Sequence, residues 1–351
     1  MIFLIAFLLV LVLVVTLRPL GRKFGLYDIP AGRKNHKSPV LVIGGIAMVV
    51  AFKMVLPSLG PIPAPVAYLM LALVIICIVG LIDDLYHLSS KKLFLAQIIA
   101  GLLVIFLGGT SVQSLGNLFG FGELHTGPLG ALFTLICVLG VINAINMSDG
   151  VDGLAGFMVL IVAGWFAVLA YLSGQLIIYK MLLALAGVVL GFLAFNMRTP
   201  WHKQASIFMG NAGSMSLGLL VTWFSVELSG KVNSPVTPIT AVWVIALPLL
   251  DMSRVMFGRI RQGKSPFVGD HMHIHHMLSS VGYSVSEVVA IKGFISFILG
   301  GIGVVTWYLG VPEWVMFYAF MLVLMAYFYL SGRGWPHVCR LIEKRHQAKI
   351  R

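Results

Sequence analysis

Val66-Ala67-Tyr68-Leu69-Met70-Leu71-Ala72-Leu73-Val74-Ile75-Ile76-Cys77-Ile78-Val79-Gly80-Leu81-Ile82 runs without a charge and ends on Asp83-Asp84. A helix that spans a bilayer needs about 20 mostly apolar residues, so this stretch reads as a membrane span with two carboxylates at its mouth. Like charges repel, and the bilayer edge disfavours ionised side chains. A divalent cation shared with substrate phosphates relieves both penalties. Neighbours on a helix diverge by about 100°, so Asp83 and Asp84 reach one ion only if the helix ends or unwinds there. Otherwise one is a ligand and the other a supporting group or base. A plain solvated helix end is the bland account, but negative charge is disfavoured at that end of the helix dipole.

Outward from this span, about eleven apolar segments of membrane length occur, near residues 2–17, 41–56, 66–82, 93–109, 128–147, 154–172, 176–195, 207–227, 238–257, 286–309 and 313–331. Of the 351 residues, 59% are hydrophobic and only 10% charged, against about 25% charged in soluble domains. The expected fold is an all-α integral membrane protein, one polytopic domain over residues 1–351 with no repeat and no soluble module. The first segment lacks a basic leader and a cleavage site, and Arg18, Arg22 and Lys23 follow it, so it reads as a retained anchor with a periplasmic N-terminus. Alternation then puts the loops near 18–40, 83–92, 148–153, 196–206 and 258–285, and the tail 332–351, in the cytoplasm. Among the outside loops only Lys231 is basic. Every Asp falls on or near the inner side, which insertion rules do not require. The expected location is a membrane, with the acidic and basic loops on its cytoplasmic side. A net charge of +12 raises the question of nucleic acid, but the cations lie in short loops between spans, which excludes that partner. Cys77 and Cys137 sit in apolar segments and Cys339 in the tail, a pattern without a structural disulfide.

Four further stretches carry chemistry. Gly25-Leu26-Tyr27-Asp28-Ile29-Pro30 and Arg33-Lys34-Asn35-His36-Lys37 follow the first span. A topology signal explains the cations, but does not require Asp28, Pro30 or His36. In Asn143-Ala144-Ile145-Asn146-Met147-Ser148-Asp149-Gly150-Val151-Asp152-Gly153-Leu154, the two Asn and the two Asp each repeat at a three-residue spacing that shares a helical face. Glycine beside each Asp permits a turn whose backbone approaches a ligand. His271-Met272-His273-Ile274-His275-His276 follows Arg259, Arg261 and Lys264; with no Cys nearby, imidazoles among cations suit phosphate oxygens better than Zn²⁺. Phe208-Met209-Gly210-Asn211-Ala212-Gly213-Ser214 opens the eighth segment.

In this order along nearly the whole chain, Asp28-Ile29-Pro30 with Arg33 to His36, Asp83-Asp84, the Asn143 to Gly153 run, Phe208 to Ser214 and His273-Ile274-His275-His276 resemble the fingerprints of the polyprenyl-phosphate N-acetylhexosamine-1-phosphate transferases, glycosyltransferase family 4. The His-Ile-His-His form and Ser265-Pro266-Phe267 look more like the bacterial branch that uses undecaprenyl phosphate and N-acetylglucosamine than the muropeptide-transferring branch. The resemblance implies transfer of a sugar 1-phosphate from UDP-N-acetylglucosamine to undecaprenyl phosphate with release of UMP, initiating an envelope polysaccharide, and a requirement for Mg²⁺ or Mn²⁺. It implies that Asp83, Asp84, Asp149, Asp152 and His273 are catalytic and that Asn146, His275, His276, Lys91, Arg33 and His36 bind substrate. The metal would lie at Asp83, Asp84 and position 211. Where the family pattern has Asp after Phe-Met-Gly, this chain has Asn211; its amide oxygen can ligate a hard cation but brings no charge. Direct attack by the lipid phosphate is the simpler route, with a two-step path through an aspartyl phosphate open beside it. A homodimer is compatible with the sequence.

Other residues read as structural. Asp251 is expected to pair with Arg254; Lys53, Lys180 and Lys292 are expected to snorkel; and Trp165, Trp201, Trp223, Trp307 and Trp314 read as interface anchors or lipid-facing packing. Three other readings stand beside the transferase. An ion-coupled transporter would carry acids near mid-membrane and show repeated halves, a CDP-alcohol phosphotransferase would need a longer Asp-rich helix, and a lipid-binding scaffold with a spent site draws only on Asn211.

Overall fold

The structure, a computed structural model, describes residues 1–29, 39–199, 201–261, 263, 274–332 and 335, and the side chains of 275 and 276 lie outside that description. The chain opens with helix α1 (Ile2–Lys23). Strands β1 (Tyr27–Asp28) and β2 (Val40–Val42) follow. Next come α2 (Gly44–Val55) with a 3₁₀ turn over Leu56–Leu59, α3 (Ala64–Tyr86), and α4 (Ser90–Leu102), which runs on through Leu103–Leu107. After these stand α5 (Gly130–Ser148), α6 (Leu154–Leu172), α7 (Leu176–Asn196), β3 (Ile207–Phe208) and α8 (Gly210–Ser229). The last helices are α9 (Pro238–Val244), α10 (Ala246–Arg261), α11 (Ile274–Ser280), α12 (Val285–Tyr308) and α13 (Glu313–Ser331).

Each expected span is largely helix, although those near 41–56 and 207–227 begin in strand and the one near 238–257 is broken at Ile245. Among the described residues, eight helices are long and apolar enough to cross a membrane, and a ninth span results if α9 and α10, bent by 78°, are one broken crossing. That makes this a multi-pass membrane protein, with a smaller count of long apolar helices than the eleven expected. The shortfall has physical reasons. Helix α2 is short before its 3₁₀ turn. Helix α8 is central: nearly all its residues are buried, and it packs on α2, α3, α5, α6 and α9. A helix surrounded by helices need not be apolar to satisfy lipid, and α8 uses Ser214, Ser216, Thr222 and Ser229 as buried small polar residues bonded back to their own turns. The lipid-facing helices show the reverse pattern, with Leu4, Leu8, Val12 and Val15 of α1 and Leu322, Met325 and Leu330 of α13 exposed.

The fold is not purely helical. A three-stranded sheet joins β1 antiparallel to β2 and β2 parallel to β3, with Asp28 opposite Val40 and Val42 opposite Phe208. It ties the loop after α1 to the loop after α7, and so fixes where α8 begins.

Two expectations about single residues are corrected. Lys292 does not snorkel; it is wholly buried and its Nζ meets Asp251 Oδ2 at 2.8 Å, so α12 supplies an ion partner of Asp251. Trp223 does not face lipid or interface, being 3% exposed inside α8. Trp165 and Trp307 donate to the carbonyls of Phe297 and Pro235, bracing helices and a loop.

Candidate active site

Helix α3 continues through Asp83 and Asp84 to Tyr86 and stops at His87 with a left-handed φ of 50°. The two carboxylates therefore diverge, yet both reach the start of α8. Asp83 is buried and accepts a short hydrogen bond from the Asn211 side-chain amide. Asp84 takes the Asn211 backbone N–H on Oδ1 at 2.9 Å and the Ala212 N–H on Oδ2 at 3.3 Å. A carboxylate facing the free N–H groups at a helix N-terminus is stabilised by both hydrogen bonds and the dipole. Asp84 pays for its poor place on α3 by capping α8.

Close backbone approach makes this contact possible. A Cβ on Gly80 would stand 2.5 Å from Ala212 Cα and 2.7 Å from the Asn211 carbonyl carbon, so only glycine lets α3 lie this near α8. Gly210 has φ +65°, and a Cβ there would run into Asp84 Oδ2 and Val42.

Asn146, late in α5, completes the polar knot. Its Nδ2 donates to Asn211 Oδ1 at 2.5 Å and to Ser214 Oγ at 2.8 Å. The Asn211 NH₂ donates to the Asp83 carboxylate, which leaves Oδ1 to accept from Asn146. The three residues expected at a metal, Asp83, Asp84 and Asn211, thus meet at one place already joined to one another. Asn143, three residues earlier on α5, donates to Gln97 of α4 rather than into this knot.

Helix α5 ends at Ser148, and Asp149 to Gly153 form a turn rather than continued helix. Asp152 accepts from Arg198 Nε at 2.7 Å and from the Ala205 N–H at 3.4 Å. Asn196, buried at the end of α7, accepts from the Gly153 N–H and donates to the Ile207 carbonyl, each at 2.8 Å, stapling this turn to β3. Asp149 is half-buried with protein close around it, and no hydrogen-bond donor among the described residues reaches its side chain. Burial pushes its carboxyl well above the usual range, and the charges of Asp84, Asp152 and Asp28 push it further. The last of these enters on β1.

All donors in this group are oxygens, which suits a hard cation, and Asp149 is a carboxylate among carboxylates without a counter-charge of its own. Among the described residues no three His, Cys, Asp or Glu side chains converge at metal-binding distance. The group therefore fits an ion that takes one or two carboxylates and fills its remaining positions with substrate phosphate and water, the habit of Mg²⁺.

Lys91 lies exposed in the first turn of α4, with no hydrogen bond or ion pair to the acidic group among the described residues. Arg33, His36 and His273 lie outside the described residues, as do the side chains of His275 and His276. Sequence reading missed Asn196 and gave Arg198 and Ser214 no role of their own in the site. Arg198 was hidden among the loop cations that set topology. Asn196 left one trace, an amide closing an otherwise apolar span.

A protein-family model described as glycosyl transferase family 4 matches residues 66–229, which hold α3 through α8 and most of this site. The chain is 33% identical over 337 residues to the undecaprenyl-phosphate alpha-N-acetylglucosaminyl 1-phosphate transferase of Yersinia pestis, covering 95% of this chain and 91% of that one. It is 34% identical over 342 residues to the protein of that name from Salmonella typhi, with 96% and 92% covered. The Haemophilus influenzae protein of that name is 31% identical over 322 residues, with 92% and 90% covered.

Proposed function

Because the chain belongs to glycosyl transferase family 4, we propose that it transfers N-acetylglucosamine 1-phosphate from UDP-N-acetylglucosamine to undecaprenyl phosphate, releasing UMP. The observation that carries this reading is the convergence of Asp83 and Asp84 from α3, Asn146 and Asp149 from the end of α5 and Asn211 from the start of α8 at one end of the helix bundle. A lipid phosphate enters from the bilayer and a nucleotide sugar from water, so a site between them belongs at a helix end. A coupled transporter would instead carry such a carboxylate group near the midplane.

In this reading Asp84 and Asp149, together with Asp83 and Asn211, would hold Mg²⁺ or Mn²⁺, which would supply neutralisation of the diphosphate charge so that a second phosphate anion could approach. The residues of the chain do the rest. Asp84 keeps the α8 N-terminus fixed, and Asn146 holds the Asn211 amide in place. Arg198 orients Asp152, and its own cationic face lies beside the turn where a diphosphate would lie. Asp83 is buried and bonded to the Asn211 amide, a poor position for a nucleophile, which favours direct attack by the lipid phosphate over an aspartyl phosphate. The imidazoles at 273, 275 and 276, Lys91, Arg33 and His36 serve the sugar-diphosphate and lipid-phosphate ends. The whole chain acts as one polytopic transferase domain of a bacterial inner membrane, its site towards the cytoplasm, at the first step of an envelope polysaccharide.

Purified protein in detergent with undecaprenyl phosphate and a panel of labelled UDP-sugars tests this directly. Label from UDP-N-acetylglucosamine should enter the organic phase with equimolar UMP, and EDTA should stop both. Equal transfer from every UDP-sugar would sink the donor assignment, and no transfer from any would sink the reading.

A further inference from the structure

We propose that Asp251, held by Lys292 and Tyr327, is a positioning residue that anchors α11 at Ile274, next in sequence to His275 and His276. The proposal rests on the transferase reading for its consequence, though not for its geometry. Asp251 of α10 is 2% exposed and Lys292 of α12 is 0% exposed. Oδ2 accepts from Lys292 Nζ at 2.8 Å, while Oδ1 accepts from the Tyr327 hydroxyl of α13 at 3.2 Å and from the backbone N–H of Ile274 at 3.4 Å. Ile274 is the first residue of α11 and the neighbour of His273.

One carboxylate thus gathers three membrane helices and the segment that carries the histidines. A buried ion pair is poor value as a source of stability, because desolvating both charges cancels most of their attraction, and well-packed apolar side chains of similar size do as well. What the pair supplies is direction. Lys292 and Tyr327 fix the rotation of the carboxylate, and the long Ile274 bond depends on that rotation. Among the described residues Leu278 of α11 is buried, and α11 packs on α12, the helix that carries Lys292. Helix α10 also needs external fixing, because the 78° bend before it uncouples it from α9. Arg254 adds a bond to the Ser331 carbonyl of α13 at 2.6 Å, on the same side of the assembly.

Hydrogen exchange of residues 274–280 in the full-length protein, read beside steady-state kinetics, tests the proposal. Asp251→Leu with Lys292→Met removes the charges and the acceptor, whereas Asp251→Asn with Lys292→Met removes the charges and keeps an acceptor. The apolar pair should melt near the parent, exchange about tenfold faster at 274–280, the loss of one hydrogen bond, and lose about 100-fold in kcat/KM for the UDP-sugar, with KM for undecaprenyl phosphate unmoved. The Asn/Met pair should stay within about threefold of the parent on both readouts. Parent-like exchange and kinetics in the apolar pair, or equal losses in both pairs, would overturn it. Should the apolar pair fail to fold, Tyr327→Phe decides: exchange at 274–280 should quicken by about threefold, and unchanged exchange refutes the anchor. A parent that releases no UMP condemns the transferase reading alone, since exchange still reports on the anchor.

Discussion

Asn211 stands where its family pattern has Asp, and its neighbours show what the amide does. It donates to Asp83 and accepts from Asn146, so the knot is satisfied with no cation present. An Asp there would set two carboxylates face to face, and only a proton or a metal would reconcile them. Asn211→Asp should therefore cost about 1–3 kcal/mol in EDTA, and millimolar Mg²⁺ should restore the loss by binding the folded state. A thermal shift series with and without Mg²⁺ measures it, and an Mg²⁺ response equal to that of the parent would remove Asn211 from the metal's surroundings. Asp149 makes the opposite case. Its folded pKa is raised, by burial first and by Asp84, Asp152 and Asp28 after, so the folded protein holds a proton that the unfolded chain releases near pH 4. The penalty is absent below that pH, grows as pH rises past it and is complete above the folded value. In EDTA, Asp149→Asn should match the parent's melting midpoint near pH 4 and exceed it at pH 7.5, at one scan rate, while losing about 100-fold or more in turnover. A gap that does not widen with pH would refute the assignment.

At the scale of elements, the site is made by where α8 starts, and this was the least legible part of the sequence. The spans could be read because lipid demands long apolar runs, and Asp83-Asp84 and Asp149-Gly150-Val151-Asp152 stood out against them. Strands of two or three residues, drawn from loops far apart in the chain, leave no periodic pattern, so the sheet that seats Phe208 beside Val42 was invisible. The break between α9 and α10 carries no obvious signal either: Ile245 sits in an apolar run, and Pro248 lies beyond it. Nor does a glycine announce its neighbour. Gly80 read as one more small residue in a span, yet it sets the spacing that brings Asp83 and Asp84 to Asn211. Gly80→Val should push α3 off α8, cost about 1–3 kcal/mol by overpacking and reduce UMP release about 100-fold through misplacement. Gly164→Ala in α6, where a Cβ would meet nothing within 4 Å, should change neither. Parallel assays of the two variants check the contrast, and a Gly80→Val protein with parental turnover would show that the spacing is not needed.

For the whole molecule, sidedness links charge pattern to chemistry. The end of the bundle that holds Asp83, Asp84 and Asp149 carries Arg198, exposed Lys203 and the N-terminal turn of α4 with Lys91 and Lys92, while the opposite end carries Glu123, Glu227 and Glu313, with Lys231 engaged by Glu227 at 2.6 Å. Cations near span ends favour the cytoplasm, and acids contribute little to orientation. The enzyme reading requires that same orientation, because a UDP-sugar is made in the cytoplasm and its phosphates do not cross a bilayer unaided. Two independent arguments therefore converge on one topology, and a single labelling experiment can break both. In a background with Cys77, Cys137 and Cys339 replaced by Ala, Val232→Cys, whose parent side chain is 43% exposed, should react with an impermeant maleimide applied to intact spheroplasts. His202→Cys, exposed on the loop that faces Asp152, should react only after permeabilisation. The reverse result would place the aspartates outside, away from any nucleotide sugar, and the transferase mechanism would fall with the topology.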